Sequence, residues 1–310
     1  MGGKVAATLG EVKNRADLVI YWGANPAECH PWHFRRYSLR PKGRFIPNGR
    51  TDRTMVLVDV RPTLSVGDAD IFLQVRPKKD FEILTSLRAL VKGRSVDPQR
   101  LEATGVSLEE LQELVALMKG CRFGVIFFGM GVTMTRGKYM NSSAILTLAA
   151  ELNAFTKFVA MPMRGHGNVT GADSVVTWTT GYPFGVDFSR GYPRYNPGEF
   201  TACDLLARGE VDAVLVLGAD PAATMPGPAA DHLRRVPTIV LDCRYSTTST
   251  VARVHVTTAP TGIGTSGTIY RMDEVPLPVR PVLASPYPSD ESVLADIRRA
   301  VDAQVPSTVG

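Results

Sequence analysis

The feature that most constrains this chain is an internal duplication. Ala16-Asp-Leu-Val-Ile-Tyr-Trp-Gly-Ala-Asn-Pro26 returns as Val211-Asp-Ala-Val-Leu-Val-Leu-Gly-Ala-Asp-Pro221. Val56-Leu-Val-Asp59 is echoed by Ile239-Val-Leu-Asp242, and Ala69-Asp-Ile-Phe-Leu-Gln-Val75 more faintly by Ala252-Arg-Val-His-Val256. Each copy is an apolar run closed by Gly-Ala-Asx-Pro, a second run closed by Asp, and a short third run. Short continuous apolar runs bounded by Gly and Pro read as buried parallel strands. A repeat spacing of about 195 and 183 residues is far beyond that of a solenoid, so the duplication is one of whole lobes. Open parallel sheets place their ligands in the loops at the carboxyl ends of strands. Two such units therefore predict two half-sites for one elongated, pseudo-symmetric ligand.

The 310 residues suffice for two cores, and a hydrophobic content of 44% with 21% charged residues is that of a globular protein. The net charge of +5 is scattered along the chain. Its densest stretch, His33 to Arg53, holds Arg35, Arg36, Arg40, Lys42, Arg44, Arg50 and Arg53 against Asp52. That stretch reads either as a solvated loop face or as a surface for an anionic ligand or acidic partner. No nucleic-acid-binding signature accompanies it. The first residues lack an apolar signal region, and no apolar span reaches membrane length, which makes the expected location cytoplasmic. Cys29, Cys121, Cys203 and Cys243 stand singly, without metal-ligand spacing. His30, His33, His166, His232 and His255 form no ligand pattern either, and there is no P-loop or nucleophile elbow.

Strands are expected at Leu18–Trp22, Met55–Val60, Ile71–Val75, Arg122–Phe128 and Phe158–Ala160. Helices are expected at Asp80–Val91, with Asp80 as N-cap and Gly93 as C-cap, at Ser107–Lys119 behind the capping box Ser107-Leu-Glu-Glu110, and at Ser142–Asn153. This alternation predicts an α/β fold of two duplicated, doubly wound lobes with mostly parallel sheets. From Arg164 to Glu199 no periodicity survives, although Tyr182, Phe184, Phe188, Tyr192 and Tyr195 crowd together there. Such a stretch reads as a long functional or interface loop. Beyond Ala259 only Asp290–Val305 reads as helix. The division falls near residue 175, giving a first α/β lobe over 1–175 and a second, with an irregular C-terminal segment, over 176–310.

Several phrases resemble one family, the B subunit of formylmethanofuran dehydrogenase, a tungsten- or molybdenum-pterin enzyme. They are Thr8-Leu-Gly-Glu-Val-Lys-Asn-Arg-Ala-Asp17, Trp22-Gly-Ala-Asn-Pro26, Gly124-Val-Ile-Phe-Phe-Gly129, Met163-Arg-Gly-His166, Asn168-Val-Thr-Gly171 and Tyr270-Arg-Met-Asp273. The longest runs from Thr180-Gly-Tyr-Pro-Phe-Gly to Tyr195-Asn-Pro-Gly-Glu199. The resemblance implies the dinucleotide-binding domains of molybdopterin oxidoreductases, one lobe for each pterin-guanine dinucleotide. It implies that Asn25, Pro26 and Asp220 lie in the two dinucleotide loops, that Asp59 and Asp242 meet guanosine hydroxyl or amino groups, and that Arg164 and His166 flank the metal.

Departures from the family shape the functional expectation. The resemblance implies four cysteines for an iron–sulfur cluster and a cysteine to tungsten ahead of the stretch matching Thr8, and no cysteine precedes Thr8 here. Lys78 stands where the family carries a turn glycine. The pattern is most similar to the degenerate B subunit of the formyltransferase/hydrolase complex of one-carbon metabolism. That likeness implies a non-redox, non-catalytic scaffold in a complex that moves a formyl group to a methanofuran-like coenzyme and releases formate. The pterin site would be vestigial, with no metal and no cofactor bound by this chain. The coenzyme and a catalytic metal would belong to partner subunits: an amidohydrolase-like subunit, a formyltransferase subunit and one further subunit. The alternative is a pterin-binding catalytic B subunit whose metal-binding N-terminal part is absent from this sequence.

Overall fold

The computed structural model describes residues 7–137, 139–196 and 198–304. The chain divides into two compact units, one of residues 1–169 with 271–275, the other of residues 170–270 with 276–310.

In the first unit, strands β1 (Leu18–Trp22), β2 (Thr54–Asp59), β3 (Ile71–Gln74), β4 (Phe123–Phe128) and β5 (Lys157–Pro162) form one parallel sheet in the order β3-β2-β1-β4-β5. The central strand is buried along its whole length, and its alternate side chains feed two cores. Leu18, Ile20 and Trp22 pack with Leu84, Leu87, Leu111 and Ile145 on one face. Val19 and Tyr21 pack with Leu9, Phe34, Leu39 and Phe127 on the other. Each fully buried side chain of this kind contributes about 1.5–3 kcal/mol before the entropy of ordering is set against it.

The helices of this unit are α1 (Leu9–Arg15), α2 (Pro26–Cys29), α3 (Asp80–Val91), α4 (Pro98–Glu102), α5 (Leu108–Gly120), α6 (Met130–Thr133) and α7 (Tyr139–Leu152), and α8 (Val169–Thr180) begins where the unit ends. Capping boxes open α1 (Thr8 with Glu11) and α5 (Ser107 with Glu110), satisfying amides that have no partner inside the helix. Asp80 is not the cap of α3. Lys79 holds that position, and Asp80 is the first helical residue with its carboxylate turned elsewhere. The cap at the other end is Lys92, followed by Gly93 at φ 70°.

The second unit holds a three-stranded parallel sheet, β10-β9-β8, from β8 (Val214–Leu217), β9 (Thr238–Asp242) and β10 (Val254–Thr257). Helices α9 (Ala202–Arg208), α10 (Pro221–Thr224), α11 (Gly227–Leu233), α12 (Thr247–Val251) and α13 (Asp290–Asp302) belong to it. Its apolar cluster is small, built on Leu206, Ala222, Ala229 and Leu233. Two further pairs, β6 (Val186–Asp187) with β7 (Arg194–Tyr195) and β11 (Gly267–Tyr270) with β12 (Pro276–Val279), are antiparallel.

The stretch expected to be one long irregular loop contains α8. Its twelve residues, Val-Thr-Gly-Ala-Asp-Ser-Val-Val-Thr-Trp-Thr-Thr, bury only Thr170, Gly171 and Asp173. A helix whose buried stripe is small and polar leaves no apolar period to read. The aromatic residues that follow form a small cluster: Tyr182 stacks on Tyr195, with ring centroids 5.1 Å apart, and Phe184 meets Tyr195 edge-on. Helix α13 ends at Asp302, and Val305 lies outside the described residues.

Candidate functional site at the strand ends

Chain connection in the first sheet runs outward from β1 to β2 and β3, then returns to place β4 on the other side of β1. The loops following β1 and β4 therefore diverge from neighbouring strand ends, which is where open α/β sheets form ligand crevices. The two loops interlock through glycine. Gly23 donates its N–H to the Val58 carbonyl at 2.9 Å, and Gly131 donates to the Gly23 carbonyl at 3.1 Å. Gly23 has φ 55°, and a Cβ there would lie 2.8 Å from the Val132 nitrogen. A Cβ on Gly129 would lie 2.5 Å from the Gly23 oxygen, and one on Gly131 2.8 Å from the Gly23 Cα. No side chain fits at any of the three positions.

Asn25 and Pro26 follow directly. Pro26 opens α2 with its preset φ. Asn25 Oδ1 accepts the Ser65 hydroxyl at 2.7 Å, and Ser65 Oγ accepts the Ala27 N–H at 3.1 Å. Asn25 Nδ2 donates to Glu28 at 2.8 Å. The loop after β1 is thus pinned to the turn after β2. Asp59 closes β2, and its Oδ1 accepts the Val60 N–H at 2.7 Å.

Beside it is a residue that sequence reasoning cast only as a helix cap. Asp80 is 5% exposed, its Oδ1 accepts the Trp22 indole N–H at 2.9 Å, and its Oδ2 is buried without a hydrogen-bond partner. Burial pushes its pKa up, with the Asp59 carboxylate adding to the effect. A buried acceptor without a hydrogen-bond partner beside the strand ends suits a ligand that brings a donor. The available signal was that Asp80 directly follows the turn Pro77-Lys-Lys79. Lys78 in that turn has φ 70°, the left-handed region a glycine takes more readily.

Arg164 and His166 follow β5, Arg164 half-buried and His166 exposed. The Arg164 carbonyl is 3.0 Å from His30 Nε2. Both Arg164 and His30 border a cavity of about 320 Å³ that also touches His33, Tyr37 and Arg271. His33 is buried against Tyr21 and Ser38, its Nδ1 2.9 Å and 3.0 Å from their hydroxyl oxygens. Burial lowers its pKa to about 3, so it is neutral. A larger cavity, about 650 Å³, lies at the opposite end of the sheet beside Asp17, Thr54 and Glu113 and includes none of the strand-end loops.

The second unit repeats the same joints with different chemistry. Gly218 has φ 54° and donates to the Leu241 carbonyl at 2.9 Å. Asp220 Oδ1 accepts the Thr248 hydroxyl at 2.6 Å and the Thr248 N–H at 2.7 Å, and Oδ2 accepts the Thr247 N–H at 3.2 Å. Thr248 Oγ1 in turn accepts the Ala222 N–H at 3.0 Å. The Thr248 hydroxyl and the backbone amides hold the Asp220 carboxyl below its ordinary range. Asp242 closes β9, 8% exposed, with Oδ1 accepting the Arg244 N–H at 3.1 Å. Ser65 and Thr248 were not singled out from sequence, although each stands six positions after a strand-end aspartate. So Asn25, Pro26 and Asp59 come together in one unit, Asp220 and Asp242 in the other. Among the described residues, no group of three or more His, Cys, Asp or Glu could hold a metal ion. None of the described helices is long and apolar enough to cross a membrane.

No protein-family model matches the chain. It is 48% identical, over 95% of its length, to the B subunit of a tungsten-containing formylmethanofuran dehydrogenase 2 of Methanocaldococcus jannaschii, and covers 66% of that protein. It is 44% identical, over 97% of its length, to the protein of the same name from Methanococcus maripaludis, and covers 69% of that one. The chain thus spans about two thirds of these relatives. Among solved structures it resembles the formyltransferase/hydrolase complex (FhcABCD) from Methylorubrum extorquens in complex with methylofuran. The TM-score there is 0.72 at 19% identity, over 96% of this chain and 78% of the other. Acetylene hydratase from Pelobacter acetylenicus matches with TM-score 0.64 at 13% identity, over 97% of this chain and 50% of that one. The fold is that of the molybdopterin oxidoreductases, and the chain belongs to the family of formylmethanofuran dehydrogenase B subunits.

Proposed function

We propose that this chain is the dinucleotide-holding part of a B subunit that binds pterin-guanine dinucleotide within a formylmethanofuran dehydrogenase. The observation that carries this reading is the contrast in identity: 48% and 44% to the B subunits of tungsten-containing enzymes, against 19% to the formyltransferase/hydrolase complex. The second reading, a non-redox scaffold beside formyltransferase and amidohydrolase-like subunits, draws support from the fold likeness to that complex, and at 19% identity this likeness speaks for fold alone.

The residues of the first unit fit such a cofactor. The glycine loops bring backbone close to the crevice, and the carboxylates of Asp59 and Asp80 stand together at the strand ends. Guanine offers an amino group and a ring N–H, and ribose offers hydroxyls; a carboxylate accepts from either. Asp80 Oδ2 is the open acceptor. In the second unit Asp242 takes the place of Asp59, and Asp220 shapes the loop there as Asn25 shapes the loop of the first unit. When bound, the pterin would supply the ligands of a redox metal. This chain's residues hold, orient and shield it, and Arg164 and His166 would face the reacting end. Partner subunits supply the remaining chemistry.

Elemental and nucleotide analysis of the protein purified from its native host tests this. About one tungsten or molybdenum with guanine dinucleotide per chain is the expected result. A complex free of both, yet active in formyl transfer and formate release, would replace the redox reading with the scaffold one. Exchange of Asp80 for Ala is expected to lower dinucleotide content several-fold.

A further inference from the structure

We propose that the amino-terminal edge of the first sheet, opposite the ligand loops, is a docking face for an acidic polypeptide segment of another chain, with Phe45 as its anchor. Phe45 is 46% exposed, and the guanidinium groups of Arg15 and Arg44 lie over its ring, 5.2 Å and 5.7 Å from the centroid. Next to it is a hollow of about 180 Å³ lined by Arg15, Phe45, Arg122, Phe123 and Lys157. Arg15, Arg44, Arg122 and Lys157 are all exposed and rim one apolar spot.

The exposure of Phe45 is built into the backbone. Gly43 and Ile46 bond each other through both amides, at 2.9 Å and 3.1 Å, and Ile46 is fully buried. Between them, the Arg44 N–H donates to Asn14 Oδ1 at 3.0 Å and the Phe45 N–H to the Asn14 carbonyl at 2.9 Å. A Cβ on Gly43 would lie 2.2 Å from the Lys13 oxygen, so the tip is drawn tight onto the end of α1. An aromatic ring held in solvent by a rigid turn loses little conformational entropy when a partner covers it. Aromatic and arginine side chains are those that anchor protein interfaces.

Charge selects the partner. The carboxylates nearby are already engaged: Asp17 accepts the Arg122 and Phe123 amides at 3.0 Å and 2.9 Å, and Asp52 accepts the Asn48 amide at 2.7 Å. Arg122 Nε is itself paired with Asp17 Oδ2 at 3.2 Å, so Arg15, Arg44 and Lys157 supply the net positive charge around a hollow suited to one apolar side chain. A segment alternating Asp or Glu with apolar residues matches both features. A nucleic acid would use the cations and leave the hollow unfilled.

The test uses a fluorescent peptide of alternating glutamate and leucine, titrated into the purified protein and followed by anisotropy at low and high salt. Controls are the lysine–leucine peptide and a uridine homopolymer RNA of equal negative charge. The acidic peptide is expected to bind, more weakly as salt rises, and about tenfold more weakly to Arg44→Glu or Phe45→Ser. Lys157→Glu, exposed at the rim, serves if either variant misfolds. No binding, equal affinity of the variants, equal affinity of the lysine peptide, or tighter binding of the RNA would each overturn the proposal.

Discussion

The two Gly-Ala-Asx-Pro loops share a backbone and differ in what surrounds it. Gly23 and Gly218 have φ 55° and 54° and make the same bond to the neighbouring strand, at 2.9 Å in both. In the first unit β1 is central, with β4 beside it, and a Cβ on Gly23 has no room. In the second unit β8 is the last strand of its sheet, a Cβ on Gly218 meets nothing within 4 Å, and Leu215 and Leu217 are 41% and 42% exposed. The difference teaches that glycine is kept for two separable reasons, backbone angle and space, and that here only the angle is common to both copies.

Substituting each glycine separates these reasons, and gives the largest effect. Gly23→Ala is expected to lose about 3 kcal/mol, from the left-handed conformation together with the overlap on Val132. Gly218→Ala should lose about 1 kcal/mol, the conformational part alone. Denaturant unfolding of both variants checks this, and equal losses would break the comparison.

The next contrast is between the two pins. Asp220→Ala is expected to destabilise by about 2 kcal/mol and Asn25→Ala by about 1 kcal/mol, because hydrogen bonds to a charged acceptor are the stronger. Asp220 has a folded pKa below its unfolded value. Its contribution is therefore present above the unfolded carboxylate range and lost as pH falls through the folded pKa. Asn25 has no such dependence. Amide exchange at Ala222 and Ala27, followed from neutral to acid pH, should show the second loop loosening and the first unchanged; parallel behaviour would refute the assignment.

The smallest effect concerns Asp80, for which the second unit has no equivalent: Thr258-Ala-Pro260 follows its third strand. Burial raises the Asp80 pKa, so the folded state favours the protonated form, which is retained at low pH and lost as pH rises through the folded pKa. Asp80→Asn keeps an acceptor for Trp22 and removes the buried charge. It should stabilise the protein by about 1 kcal/mol at neutral pH, with the gain vanishing in acid, while weakening dinucleotide binding. A thermal melt across pH decides it. Stabilisation with unchanged binding would make Asp80 purely structural.

What could be read from the sequence followed from period and repetition. The parallel strands, the capping box at Ser107 and the glycine loops are local signals, legible because strand ends and caps have fixed chemistry. Helix α8 escaped because Thr170, Gly171 and Asp173 form its buried side. Asp80 was recognised as a helix start but not as a partner of Trp22, since that bond joins residues 58 apart. The pairings of Asn25 with Ser65 and of Asp220 with Thr248 escaped for the same reason: the repeat displays both members and says nothing of their meeting.

Those pins also set an order of assembly. Helices α2 and α10 have four residues each, far too short to persist alone. Their early amides at Ala27 and Ala222 rest on hydroxyl groups 38 and 26 positions further along the chain. Neither loop can settle until the second strand of its unit has been laid down and turned. Each Gly-Ala-Asx-Pro loop is thus a late event in folding, and the first region released when its unit opens locally.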